Sequence, residues 1–422
     1  MSAERADSGW PAGAGILVAN LAADHDFETT LGLTHTIWRP SPRARDRAVE
    51  LGRRLAALTN PGDRMIGIGG DRDRDHEVEA WRAADGQRAD LPNVPVLAWA
   101  ETRAVADLRA VIRRANGDRP PPAHRPTGHA VVDALWSIQP ADAVIAARCN
   151  HRGFGLRLAR ELGEALPGAA LVRNRDEVAM RVGRQGDSRR EAVRVGATAC
   201  VVKAVCSSAG RDRVWVPLDG GDGVGKREAI DTQLDRLFER HGEAVIEPWL
   251  DRTDDFGAVG YVDDTGRVHL VGLHRMRVDG RGRFRGVDVP TAEGRDGGAD
   301  GVAEGGGVVR LPVGLLPGEA ARLREVHRAV GVALAGAGYR GAFGIDAFRW
   351  RDAAERIRLH ALGEVNARVT MGLLAHIAVD RLARSPSEGR TPFPQQPQPV
   401  EDHEQARADV GEDRHPEGGD AG

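Results

Sequence analysis

Lysine is nearly missing from this 422-residue chain: Lys203 and Lys226 are its two lysines, and every other one of its 59 basic residues is arginine. That skew, with abundant Ala and Gly and two tyrosines, fits a genome that favours arginine codons and carries no chemistry by itself. It does make the two lysines informative, because a position that needs only positive charge is free to drift to arginine. Cysteine is scarce too. Cys149, Cys200 and Cys206 are odd in number and lack paired metal-type spacing, which argues against a disulfide framework and fits a reducing cytoplasm. No run of about 18 apolar residues occurs, so no membrane-spanning helix is expected, and Met1–Gly15 lacks the basic-then-apolar layout of a signal peptide. Neither sign of charge dominates: 59 basic against 62 acidic residues leave a formal charge of −3. With the two signs interspersed, no broad cationic face for nucleic acid or anionic lipid is implied. These absences predict a cytoplasmic protein with small-molecule partners and neither a nucleic-acid nor a membrane partner, with a homodimer left open.

The length allows two or three packed units, since a single core stops growing near ~250–300 residues. Residues 1–13 and 384–422 are rich in polar residues, Pro and Gly and are expected to be disordered tails. Between them, "GILVANLA" (15–22), "RMIGIGG" (64–70) and "VPVLAWA" (94–100) are apolar runs separated by polar or helix-like stretches, which predicts a small parallel α/β domain over 14–120. A Pro-rich stretch at 121–128 reads as a linker into a second region, 129–383. There "RGFGLRLARELGEAL" places Phe154, Leu158, Leu162 and Leu166 at every fourth position, a helix. "ATACVVKAV" and "EAVIEPWL" read as buried strands with the amphipathic helix "REAIDTQLDRLFERHG" between them. An Asp-Asp-Thr-Gly turn centres a hairpin over 256–278. "PGEAARLREVHRAVGVALAGAG" opens with Pro, ends in Gly and stripes Leu323, Val326, Val330 and Ala333, a helix. A second hairpin around 341–369 and a closing helix from Met371 complete the fold. No repeat of fixed period is present.

"GGDGVGKR" imitates a phosphate-binding P-loop, but Arg227 stands where that motif needs Ser or Thr for Mg²⁺, and no strand runs straight into it. A turn and helix start is the better reading. The last hairpin says more. If it turns near residue 355, Asp346 in "AFGIDAFRW" and Glu364 in "LGEVNARV" lie across from each other, and Asn366 shares the face of Glu364 by strand alternation. Two carboxylates and an amide are hard oxygen donors suited to Mg²⁺. In a packed sheet, close carboxylates repel unless a cation or proton intervenes.

Taken in order, these parts resemble the ATP-grasp superfamily over residues 150–384. The parts are a strand ending in Lys203 with a small-residue loop, the strand "VIEPWL", then Asp on one strand and Glu-x-Asn-x-Arg on the next. The resemblance implies two α+β subdomains clasping ATP, preceded by the small α/β domain. It makes Lys203 the lysine that reaches the nucleotide phosphates, with Ser207, Ser208 and Gly210 in the flexible loop that covers them. It makes Glu247, Pro248, Trp249 and Leu250 the hinge that reads adenine, and Asp254 or Asp255 the acid that holds the ribose. Asp346, Glu364 and Asn366 correspond to ligands of Mg²⁺ (or Mn²⁺), and Arg368 to the arginine beside the transferring phosphoryl group. Two departures stand out: the ribose position carries Asp where Glu is commoner, and the further lysine found one strand earlier in many members is missing, with only Arg173 and Arg175 nearby.

The chemistry so implied is an ATP- and Mg²⁺-dependent ligase that joins a carboxylate to an amine or thiol through an acylphosphate. His274 and Arg275, with Arg277, are candidates for contacting the acceptor carboxylate or acylphosphate. The alternative is a phosphotransferase on the same scaffold, in which the phosphoryl group stays on the acceptor. A binding protein without turnover has no use for the full Asp, Glu, Asn trio. An NAD-dependent oxidoreductase lacks its Gly-x-Gly-x-x-Gly fingerprint, since "GIGGDRD" has the wrong spacing.

Overall fold

Three short parallel strands, β1 (Ile16–Ala19), β2 (Arg64–Gly67) and β3 (Val96–Ala98), pair in the order β2-β1-β3. The computed structural model describes residues 12–20, 23–33, 54–61, 63–67, 93–207, 212–219, 224–280, 282–290, 300–302 and 308–384. The expected tails lie almost wholly outside these residues, as do Ser208, Gly210, Gly220 and most of the 292–307 loop. Every side chain of β1 is buried, as a parallel strand covered on both faces requires. Beside it run α1 (Ala23–Thr30) and α2 (Arg103–Ala115), whose Val105, Leu108 and Ile112 pack on Ile16 and Val18. The chain continues through α3 (Ala130–Ser137), α4 (Ala143–Asn150) and α5 (Arg152–Glu161).

A four-stranded antiparallel sheet follows, in the order β4-β7-β5-β6. It is formed by β4 (Ala170–Val172), β5 (Ala199–Ala204), β6 (Arg213–Pro217) and β7 (Ala244–Trp249). Three helices, α6 (Arg175–Val182), α7 (Asp187–Arg194) and α8 (Val224–His241), back it. Val178, Ala192, Leu234 and Leu237 from these helices meet Cys200, Val202 and Ile246 from the strands in one core. Helix α8 starts before the expected Arg227, so Lys226 sits in its exposed first turn.

The larger sheet, also antiparallel, has the order β10-β9-β8-β13-β14. Its strands are β8 (Asp251–Val262), β9 (Val268–Val278), β10 (Phe284–Asp288), β13 (Gly341–Arg351) and β14 (Ile357–Asn366). A separate pair is formed by β11 (Asp300–Val302) and β12 (Val308–Arg310). Both expected hairpins are present, β8 to β9 and β13 to β14. Helix α9 (Pro317–Gly336) lays Leu323, Val326 and Val330 against Phe256 and Phe343 on one face. Helix α10 (Met371–Arg384) covers part of the other face, where Leu373 and Ile377 join Val259 and Ala342 to Leu17 and Leu97 of the parallel sheet. The mixed α/β class is the one the sequence predicts. Among the described residues no helix is long and apolar enough to cross a membrane.

Candidate active site

Strand alternation sorts the small sheet into two faces. Cys200, Val202 and Ile246 go to the helix-backed core. The register Val201↔Glu247, Lys203↔Val245, Val201↔Trp215 and Lys203↔Arg213 puts Lys203, Glu247, Arg213 and Trp215 on the other face. Lys203 is ion-paired with Glu247. Burial pushes the Lys203 ammonium below its usual pKa, with Glu247 opposing. Trp215 meets Trp249 edge-on at 5.5 Å, and the Arg213 guanidinium lies 5.8 Å from the Trp215 ring centre.

The larger sheet presents the acids. Asp346 pairs with Glu364 in register, and Asn366 pairs with Gly344, so all three side chains stand on one face. Asn366 Nδ2 is 3.4 Å from Asp346 Oδ1. Burial, and then the neighbouring Glu364 charge, raise the Asp346 pKa to about 7. Glu364 moves the other way. Burial works against its charge, but the Arg152 guanidinium, with smaller contributions from Arg368 and Lys203, holds its carboxyl below the usual range. The Lys203 ammonium of the small sheet thus contributes to holding the Glu364 carboxyl of the large sheet ionised.

Arg152 does the joining. It opens α5, whose start is fixed by His151: the His151 Nδ1 accepts from Gly153 N–H at 3.0 Å. Arg152 Nη1 lies 2.9 Å from Glu364 Oε2. Its Nε donates to the Ala204 carbonyl at 2.9 Å and its Nη2 to the Ser207 carbonyl at 2.5 Å. One guanidinium thus ties the loop after Lys203 to the opposing sheet. Arg173 and Arg175, the cations nearest to the position of the missing lysine, are elsewhere: Arg173 is largely exposed near Glu243, and Arg175 pairs with Asp235 at 2.8 Å. Sequence reasoning missed Arg152, and also Asn150, whose Oδ1 accepts from Arg368 Nη1 at 3.0 Å and from Ala367 N–H at 3.0 Å. It missed Arg252 and His360 as well. Arg252 is ion-paired with Asp255, stacks 4.0 Å over the Phe348 ring and senses Glu247 and Asp346. Burial lowers the His360 pKa to about 4.

The remaining predicted residues divide. Asp255 is buried on the face of the Asp346 row, held by Arg252. Asp254, one residue earlier, faces away, bonded to Arg275 at 2.6 Å. Arg275 is therefore not with the acids: alternation along β9 turns it to the opposite face, toward Asp254 and Arg349. His274 does share the row, two strands from Asp346 with Gly257 between them. That glycine is required, because a Cβ at 257 would stand 2.4 Å from His274 Nε2. Burial, then the nearby His376, lowers the His274 pKa to about 3, so its ring is uncharged. Leu250 is buried in the core of the small sheet and Pro248 pairs with Cys200 on the helix side. Ser208 and Gly210 lie outside the described residues. Between the sheets and α5 opens a cleft lined by Arg152, Leu156, Glu247, His360, Leu362 and Glu364 among others.

The donor set fits a hard divalent cation in one specific respect: two carboxylates face each other across a strand pair, and one of them is driven toward protonation by burial and then by its partner. Among the described residues no three His, Cys, Asp or Glu side chains gather as a complete metal shell. Asn366 and ligand oxygens would have to complete it.

No protein-family model matches the chain, and no curated protein matches it. Its fold is similar to solved structures at low identity. A biotin carboxylase from Campylobacter jejuni, in complex with β-γ-ATP, is 13% identical over 90% of this chain and 72% of its own, with a TM-score of 0.45. D-alanyl-alanine synthetase A from Vibrio cholerae is 8% identical over 87% of this chain and 93% of its own, TM-score 0.45. An N5-carboxyaminoimidazole synthetase from Staphylococcus aureus, complexed with ADP, is 11% identical over 87% and 74%, TM-score 0.40. In the chain's own layout, two antiparallel sheets turn the face that carries Glu247 and the strand that carries Glu364 to one cleft.

Proposed function

We propose that this chain is an ATP-dependent ligase of the ATP-grasp type, which joins a carboxylate to an amine or thiol and releases ADP and phosphate. The observation that carries the reading is the register of Asp346 opposite Glu364, with Lys203 and Arg152 delivered to the same carboxylate from other elements. In this reading the region 129–383 binds nucleotide and the region 14–120 helps to present a substrate. Asp346, Glu364 and Asn366 would hold Mg²⁺, which when bound neutralises charge on the nucleotide phosphates. Lys203 and Arg152 place fixed positive charge beside the phosphates from two directions, and Asp255 is held by Arg252 for the ribose. The apolar wall made by Leu156, Val245 and Leu362 would exclude water around the base. Arg368, oriented by Asn150, stands where charge builds on the transferring group. No protein nucleophile is needed, because phosphoryl transfer is catalysed mainly by positioning and charge stabilisation.

The test is ADP release across a panel of small acids with pooled amine acceptors. Hydroxylamine replaces the acceptor in a parallel arm. A ligase gives a hydroxamate, because the activated acyl group is released to the trap; a phosphotransferase gives ADP without one. Absence of ADP release with every acid and acceptor, in protein that binds the nucleotide, overturns the reading.

A further inference from the structure

Three cations of the site each hold an acid of the same site. Lys203 is paired with Glu247 within the small sheet, Arg252 with Asp255 within the large one, and Arg152 of α5 with Glu364 of β14. The last pair differs from the others: it joins a helix to the large sheet, and its acid belongs to the donor set that suits a divalent cation. Arg152 Nη1 lies 2.9 Å from Glu364 Oε2, with Asp346 in register opposite Glu364 and Asn366 Nδ2 3.4 Å from Asp346 Oδ1. A guanidinium therefore sits on the donor set itself.

Arg152 is fixed independently of that acid. Its backbone N–H donates to the Val205 carbonyl at 2.8 Å, its Nε to the Ala204 carbonyl at 2.9 Å and its Nη2 to the Ser207 carbonyl at 2.5 Å. Nη1 is the donor left for Glu364. Arg368, the next guanidinium along β14, is engaged elsewhere: its Nη1 donates to Asn150 Oδ1 at 3.0 Å and lies 3.9 Å from Asp24 Oδ1. Both members of the Arg152–Glu364 pair are largely withdrawn from water, with 13% and 26% of their side-chain surface exposed. Removing one member of such a pair strands the other charge where water screens it poorly. A bare divalent cation that takes Glu364 strands Arg152, and a bare polyphosphate that takes Arg152 strands Glu364 opposite Asp346. When the two arrive together, each released charge finds a new partner, guanidinium with phosphate and carboxylate with metal.

We infer that Arg152 holds Glu364 in place of the metal, so that the site accepts a divalent cation and a polyphosphate only as a pair and rejects either one alone. This rests on the ligase reading for the identity of the ligand, but it concerns binding and not turnover, which keeps the two separable. Arg152 then has two successive partners, Glu364 before the nucleotide arrives and a phosphate oxygen afterwards. The carbonyls of Ala204, Val205 and Ser207 keep the residue in place through the exchange, so Nη1 is the group that changes its acceptor. Such coupling is reciprocal: whatever factor the polyphosphate adds to metal affinity, the metal adds to polyphosphate affinity.

Two reciprocal variants of the full chain test this, each with one half of the ligand. Arg152→Gln leaves Glu364 without its guanidinium, so Mn²⁺ without nucleotide, followed by electron paramagnetic resonance, should bind at least about tenfold tighter than to the parent. Adding Glu364→Gln to that variant should abolish the gain. Arg173→Gln, which removes the same charge from a largely exposed position, should leave Mn²⁺ affinity within about twofold of the parent. In the other direction, Glu364→Gln leaves Arg152 without its carboxylate. Tripolyphosphate with a chelator present, followed by calorimetry, should then bind at least about tenfold tighter than to the parent. If Arg152→Gln does not fold, the tripolyphosphate measurement on Glu364→Gln decides alone. Unchanged Mn²⁺ affinity in folded Arg152→Gln, an equal gain in Arg173→Gln, or unchanged tripolyphosphate affinity in Glu364→Gln overturns the inference. Any of these alongside ADP release by the parent spares the ligase reading. Both gains with no ADP release under any condition uphold the exchange and overturn the ligase reading.

Discussion

At the scale of single residues, the site is a contest between charges of opposite sign over one carboxylate. Glu364 accepts Arg152 and senses Lys203 and Arg368. Replacing it by Gln removes a metal donor and releases Arg152, so turnover should fall by about 10²–10³ or more, with the circular-dichroism spectrum unchanged. Activity within a few-fold of the parent in an ADP-release assay would count against the site. Arg152→Ala has a different expected signature: it unties the carbonyls of Ala204 and Ser207 as well as Glu364, so the KM for ATP should rise by at least about tenfold along with any loss in kcat. Lys203→Arg should not rescue, because a planar fork cannot occupy the enclosed, ion-paired place of an ammonium. Lys203 was legible in the sequence because composition pressed toward arginine and this position resisted. Arg152 was not. It is one arginine among many, and the fold brings its helix to the carboxylate strand across a separation like the 218 residues between its neighbour Asn150 and Arg368.

At the scale of elements, the second hairpin was the most legible part, since a turn near 355 fixes which residues oppose each other, and Asp346 does meet Glu364. A bulge between Asp346 and Phe348 shifts the rest of the pairing, which spacing alone does not show. Alternation likewise decides between His274 and Arg275: adjacent in sequence, they face opposite sides of β9. Gly257→Val should collapse the Asp346 row, because the added side chain collides with the His274 ring, and Mg²⁺-nucleotide affinity measured by calorimetry should drop at least about tenfold. A second element-level contact joins α1 to the end of α8, where His241 Nδ1 lies 2.6 Å from Glu28 Oε1 and its Nε2 3.6 Å from Asp212 Oδ1. Burial opposes a charge on His241, yet the bonds to Asp212 and Glu28 prevail and raise its pKa from 6.5 to about 9. Burial raises the Glu28 pKa at the same time and offsets part of the gain, but the His241 contribution is complete below pH 6.5 and is lost as pH rises through 9. Melting temperature should therefore fall between pH 6.5 and 9 in the parent, and fall less steeply in His241→Gln.

At the scale of the whole molecule, the site draws its charges from separate elements: Lys203 and Glu247 from the small sheet, Glu364 from the large one and Arg152 from α5. A ligand that bridges the two sheets should act as a thermodynamic clamp. Saturation with Mg²⁺ and a non-hydrolysable ATP analogue at about a hundred times Kd is expected to add about 2.7 kcal/mol to stability. Glu364→Gln should lose the Mg²⁺-dependent part of that gain in a thermal melt, and an equal gain in parent and variant would speak against metal binding there.

The scarce thiols give the fold one more property. Cys149, Cys200 and Cys206 are all buried, and burial pushes the first two up to about 12. Neither factor that makes a sulfur reactive, thiolate character or access, is present in the native protein. The three sulfurs sit in different places: Cys149 on α4 and Cys206 beside α1 in the large core, and Cys200 in the core of the small sheet. A colorimetric disulfide reagent added to native protein should stay colourless, and the order in which the sulfurs react under rising urea then reads out which core opens first.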